Sequence, residues 1–178
     1  ITRVWTATDA SGNSSSATQV ITVQDTTAPV LAGVPGDLTV ECDSVPGPDS
    51  PTASDNCDGN PSIAFVESIA PGISPNDYVI TRTWTATDAS GNSSSASQVI
   101  TVQDTIPPVV TRTGAESIVL YQGDSYTDQG ATVTDNCDQT VVVVNGGSVD
   151  TSVIGVYTLT YDSTDASGNA ATQQTRTV

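Results

Sequence analysis

The stretch Ile80 to Val109, ITRTWTATDASGNSSSASQVITVQDTIPPV, decides how this chain is built, because Ile1 to Val30 repeats it as ITRVWTATDASGNSSSATQVITVQDTTAPV. A looser third version, VYTLTYDSTDASGNAATQQTRTV, occupies Val156 to Val178. The shared TDASGN begins at Thr8, Thr87 and Thr164, so the spacing is 79 and then 77 residues. A fixed period of that size marks a tandem array of small domains rather than one large core.

Inside the stretch, Ile80, Trp84 and Ala86 alternate with Thr81, Thr83, Thr85 and Thr87. A period of two predicts a strand with one face buried and one face wet. Trp84, Trp5 by repetition and Tyr161 in the last repeat are expected in cores. Working outward, runs rich in Thr, Val, Ile and Tyr are broken every few residues by Gly, Pro, Asn, Asp and Ser, the pattern of a β-sandwich. No segment carries an amphipathic helical period. In the middle repeat strands are expected near Leu38 to Cys42, Pro51 to Ser54, Ser62 to Glu67, Tyr78 to Thr87 and Ala96 to Gln103. In the last they are expected near Ser117 to Tyr121, Ala131 to Thr134, Val141 to Val144, Val156 to Asp162 and Ala171 to Val178.

The expected fold is all-β, with immunoglobulin-like sandwiches arranged end to end. The division is residues 1–25 as the last two strands of a truncated repeat, 26–104 as a complete domain and 105–178 as a divergent one. A two-stranded remnant is marginal alone, so the chain reads as a piece of a longer protein. The linkers Asp25-Thr26-Thr27-Ala28-Pro29 and Asp104-Thr105-Ile106-Pro107-Pro108 are short, and proline restricts their bending.

Seventeen Asp and three Glu face four Arg, with no Lys and no His, for a net charge of -16. Phosphate backbones and anionic membrane surfaces would be repelled, so neither nucleic acid nor direct membrane insertion is expected. Without Lys or His most general bases and activated nucleophiles are missing, and the chain is not expected to be an enzyme.

The acids gather in loops: Asp55 to Asn60 with Asp88 to Asn92, and Asp135 to Asp138 with Asp165 to Asn169. If Leu38 to Cys42 and Pro51 to Ser54 form a hairpin, the first loop of each pair returns to the pole where the linker aspartate arrives. That would place Asp25 with Asp55, Asp58, Asp88 and Asn92, and Asp104 with Asp135, Asp138, Asp165 and Asn169. Carboxylates about 4 Å apart repel by roughly 1 kcal/mol per pair even at bulk dielectric. A hard divalent cation with six to eight oxygen ligands would relieve them, and Ca²⁺ is the expected cofactor. The bland alternative is that Asp, Asn and Gly serve here as turn formers.

Three cysteines are an odd number. Cys42 and Cys57 enclose a short loop of one repeat and invite a disulfide in a secreted protein. The hairpin geometry argues against it, since Cys57 would lie roughly 17 Å beyond Cys42's cross-strand partner. Cys137 has no second cysteine in its repeat and is expected as a shielded thiol.

Taken together, TRTWTATDASGNSSS, QVITVQDT, TVECDSVP and TASDNCDGN resemble the hyalin-repeat-like (HYR-like) domains strung along surface adhesins of Bacteroidetes, including those of gliding motility. The last repeat, with YQGDSYTDQGATVTDNCD, is similar to bacterial surface Ig-like domains. In the hyalin-like relatives a cysteine often stands where Ser90 stands here. The resemblance implies an extracellular place on a bacterial surface and a non-catalytic, stiff stalk of a large adhesin or filament. Partners are then neighbouring repeats, other filament copies or surface glycans. A carbohydrate-binding module and accessory domains of a secreted hydrolase are the alternatives. Thr26, Ser44, Thr105 and Ser163 match the Asp-Ser/Thr pattern of O-glycosylation known in that phylum.

Overall fold

The computed structural model describes residues 1–178 as thirteen strands with no helix. The fold is all-β and immunoglobulin-like in its layers and strand pairing. The chain divides into two compact units that draw on interleaved segments.

The first unit comprises Ile1–Val34, Ser50–Phe65 and Thr83–Ala96. Strands β1 (Thr2–Thr8) and β2 (Ser14–Val20) form an antiparallel hairpin with Trp5 opposite Ala17. No further strand joins this two-stranded sheet. Trp5 is therefore 55% exposed, which corrects the expectation of a core aromatic here. Strand β3 (Val30–Ala32) pairs antiparallel with β5 (Thr52–Ser54), Val30 opposite Ser54. β6 (Ser62–Pro71), β7 (Tyr78–Thr87) and β8 (Ser93–Gln103) each begin or end in this unit. Trp84 and Ala86 on β7 are buried here, and the Phe65 ring meets Trp84 at 5.3 Å between centroids.

The second unit comprises Pro35–Asp49, Val66–Arg82 and Ser97–Val178. Strand β4 (Leu38–Glu41) runs parallel to β8, Leu38 opposite Ile100 and Glu41 opposite Gln103. It starts the four-stranded order β4-β8-β7-β6. The expected hairpin of β4 with β5 is thus corrected. Between the two strands runs a proline-rich stretch in which Pro46 and Pro48 have no N–H to give to a ladder. Its carbonyls are held instead by Arg82, which donates to Pro46 O at 2.8 Å and Gly47 O at 3.0 Å. Arg82 is buried in phase with Ile80 and also meets Glu67 at 2.8 Å. Ile80, Ile100 and Val102 form one core, flanked by Leu38, Val40, Cys42, Val45 and Tyr78.

The rest of this unit contains β9 (Val109–Arg112) paired with β10 (Ala131–Thr134), and β11 (Val144–Gly146), β12 (Thr158–Asp162) and β13 (Gln174–Thr177) as a second sheet. Val110, Leu159 and Tyr161 make its core. The expected strand at Ser117 to Tyr121 is only a parallel bridge, Ser117 with Thr177. Two short strands, β3 and β9, follow the linker prolines and were not anticipated. Three or four residues are too few for a visible period.

Candidate functional site

Each TDASGN folds as a self-built turn. Asp88 Oδ1 accepts from the amides of Ser90 at 2.9 Å and Asn92 at 2.8 Å, and Asn92 Nδ2 returns to Asp88 Oδ2 at 2.8 Å. Asp165 and Asn169 repeat the arrangement at 2.8 Å for both backbone and side chain, as do Asp9 and Asn13 at 2.9 Å. Gly91 and Gly168 sit at φ of +91° and +92°, where a side chain would be strained.

The DNC loop is equally self-built, and it is built twice. Asp55 Oδ1 accepts from Cys57 N at 2.9 Å and Asp58 N at 3.0 Å, and Asp135 Oδ1 from Cys137 N at 2.9 Å and Asp138 N at 2.7 Å. Asp58 Oδ2 takes the Ala89 amide at 2.9 Å, and Asp138 Oδ2 the Ala166 amide at 3.1 Å. These last bonds tie the DNC loop to the TDASGN turn. Because β5 ends beside the start of β3, and β10 beside the start of β9, each DNC loop emerges next to the linker. Strand pairing different from the expected hairpin reaches the same place.

The linker is held by the turn's asparagine. Asn92 Nδ2 donates to Asp25 O at 3.3 Å, and Asn169 Nδ2 to Asp104 O at 3.0 Å. Asp25, Asp55 and Asp88 then converge within the first unit, and Asp104, Asp135 and Asp165 within the second, each trio with a carboxylate oxygen from every member within 4.8 Å of the others. Asp88, Asp104 and Asp165 are buried, the other three half-buried. Asp58 and Asp138 lie outside the trios, their carboxylates occupied by backbone amides, while the Nδ2 groups of Asn92 and Asn169 donate to Asp88 and Asp165 and to the linker carbonyls.

The electrostatics of the trios are uneven. Burial pushes the Asp104 carboxyl up, and the charges of Asp165 and Asp135 add to it. Burial acts the same way on Asp88, yet the bonds from Asn92, Ser90 and Gly91 outweigh it and hold that carboxyl down. Asp55 Oδ2 and Asp135 Oδ2 are buried with no hydrogen-bond donor. Such orphaned acceptors suit a positive ligand, since an unmet buried acceptor is costly.

The cysteines pair in a way the spacing did not suggest. Cys42, at the end of β4, is bonded to Cys137 of the DNC loop 95 residues away, with 5.9 Å between Cα atoms. This corrects both the Cys42–Cys57 expectation and that of a shielded Cys137 thiol. Cys57 is free and exposed, touched by Asn56 Nδ2 at 3.3 Å. Desolvation by the loop around it and the charges of Asp25, Asp55 and Asp88 push its thiol up.

Side chains missed by sequence reasoning fasten the second linker and the TDASGN turn that meets it. Glu41 accepts from Thr105 N at 3.0 Å and Thr105 Oγ1 at 2.6 Å, Asp77 Oδ1 accepts from Asp104 N at 3.1 Å, and Ser74 Oγ meets Ser167 Oγ at 2.9 Å. Nothing in their spacing says that they face a linker. Of the glycosylation candidates, Thr26 and Ser44 are exposed and Thr105 gives its hydroxyl to Glu41. Ser163 is 3% exposed with its hydroxyl on Val142 O, so the fold withholds it from a modifying enzyme.

Comparison with known proteins agrees with this geometry. Residues 30–102 match the HYR-like domain with 4 cysteines, and residues 110–178 match the bacterial surface protein, Ig-like domain. Hyalin of Strongylocentrotus purpuratus is 32% identical over 192 aligned positions, covering 96% of this chain. The chain spans only 15% of that relative's length. It is thus assembled from HYR-like and Ig-like surface-repeat domains.

Proposed function

We propose that this chain is a non-catalytic stalk segment of a larger extracellular adhesin or surface filament, its domains following one another end to end and stiffened at the linkers by Ca²⁺. The observation that carries the reading is the duplicated carboxylate trio at the linker. Three aspartates, nearby carbonyls and water can meet the oxygen preference of this cation. Domains of the matched families are of a surface type that is typically non-catalytic, and one is by its description bacterial. A place on the bacterial cell surface, in the Bacteroidetes setting the sequence resembles, accords with that. Glycan recognition, the competing reading, calls for a platform of exposed rings. The last domain exposes Tyr121 at 85%, while Tyr126 and Tyr157 are half-buried and Tyr161 is buried.

The test is a thermal melt in EGTA and in millimolar CaCl₂, with small-angle scattering on the same samples. Calcium should raise the melting temperature, by about 2.7 kcal/mol of stabilisation per site at a hundredfold excess over Kd, and should lengthen the particle. Asp104→Asn should melt no lower than the parent in EGTA, because repulsion from Asp165 is relieved, and should lose its site's share of the calcium increment. An unchanged melt and an unchanged particle would leave the aspartates as turn residues and remove the cation from the stalk.

A further inference from the structure

We propose that Cys57 is half of a second inter-repeat cystine, its partner a cysteine standing where Cys42 stands, just past a β4-type strand of another repeat that adds alongside Ile21 to Gln24, the residues that follow β2. This goes beyond the stalk reading and does not depend on a cation.

Two independent observations meet here. The first is the loop. Cys57 and Cys137 are held alike, by the Asp55 and Asp135 carboxylates at 2.9 Å and by contacts from Asn56 at 3.3 Å and Asn136 at 3.1 Å. Cys137 is in a cystine and Cys57 is not. The second is the edge. β4, which leads directly into Cys42, pairs in parallel with Ile100 to Gln103 of β8. The same residues recur 79 positions earlier as Ile21-Thr22-Val23-Gln24. There no strand lies alongside, and Val20 and Val23 are 70% and 77% exposed. An open apolar edge accepts a strand by main-chain hydrogen bonds, with side-chain pockets setting register. A strand resembling Leu38-Thr39-Val40-Glu41-Cys42, laid on Ile21 to Gln24 in the register of β4 on β8, ends with its cysteine at the DNC loop.

Bond formation joins Cys57 Sγ to the partner Sγ. The two thiols give up two protons and two electrons to a small-molecule or protein disulfide, which leaves as two thiols after exchange through a mixed disulfide.

The experiment fuses a copy of residues 30–79, its own Cys57 position changed to serine, ahead of Ile1 of the full chain, in the order in which those residues precede the matching Ile80. After folding in a glutathione redox buffer, cystines are mapped by mass spectrometry. The result expected is Cys57 joined to the cysteine of the added copy, with Cys42–Cys137 intact. A free or glutathione-capped Cys57 beside an intact Cys42–Cys137 overturns the proposal. A second measurement needs no folding of the added copy. A peptide of residues 36–45, its cysteine carried as a glutathione mixed disulfide, should be captured by Cys57 of the unmodified chain at least tenfold faster than a scrambled peptide with the same cysteine. Equal rates would overturn the proposal as well.

Discussion

Arg176 is fully buried at the end of β13, where it meets Asp128, donates to the carbonyls of Thr113 and Ala115, and lies 5.7 Å from the centroid of the Tyr161 ring. Asp128 Oδ1 also accepts from Tyr161 at 2.7 Å and Tyr126 at 3.1 Å. Removing one partner of such a set leaves a charge without its counterion. Arg176→Met should therefore cost about 3–5 kcal/mol, read from urea denaturation followed by tyrosine near-ultraviolet dichroism. A loss below 1 kcal/mol would mean that solvent compensates Asp128. The same group sets a pH window. Burial raises Asp128, but the two tyrosines and Arg176 outweigh it and hold the carboxyl below 3.8. Its contribution is complete above that value and lost as pH falls through the lower folded one. Burial and the bond to Asp128 push Tyr161 from 10.0 up to about 12. That contribution is complete below pH 10 and lost as pH rises through about 12. Urea midpoints across pH, with phenolate absorbance at the alkaline end, should show both flanks. Buried arginine was legible in one case only: the two-residue period of β7 puts Arg82 in phase with Trp84. Arg176 stands in a polar run, QQTRTV, with no apolar alternation to declare its inward face.

At the scale of the element, the turns were more legible than the strand pairing. TDASGN and DNC carry their own hydrogen-bond donors and acceptors, so their shape follows from local chemistry. Gly168→Ala tests this. A Cβ there meets nothing within 4 Å, so the cost is backbone strain alone, about 1–2 kcal/mol. A melting temperature equal to the parent's would show that the loop tolerates a different φ. Long strands such as β7 were legible because ten residues show a period. β4 and β5 were placed correctly along the chain but assigned to each other. Partner choice went with prolines in the connection, which have no N–H to give to a ladder, and with Arg82, which holds the carbonyls of Pro46 and Gly47; neither is a local signal. The aspartate trios form regardless of that assignment, because β5 pairs with β3 and β10 with β9, and each therefore ends beside its linker.

At the scale of the whole molecule, the cystine Cys42–Cys137 closes a covalent loop that spans more than half of the chain. By chain entropy a loop of 95 residues contributes about 4–5 kcal/mol. Reduction, or Cys137→Ser, should lower the urea midpoint of the second unit accordingly; an unchanged midpoint would mean that the polar ties around Glu41 and Asp104 suffice. Repetition made the array legible, and the three cysteines did not betray this pairing because a bond between repeats has no sequence spacing to recognise. The loop also alters how the chain answers a pull on its two ends. Tension entering at Ile1 passes from Cys42 straight to Cys137, so the residues between are shielded from it and cannot be paid out. Roughly 300 Å of contour length, at 3.3–3.6 Å per extended residue, is kept in reserve, and a single-molecule stretching trace should show that length only after a reductant is added.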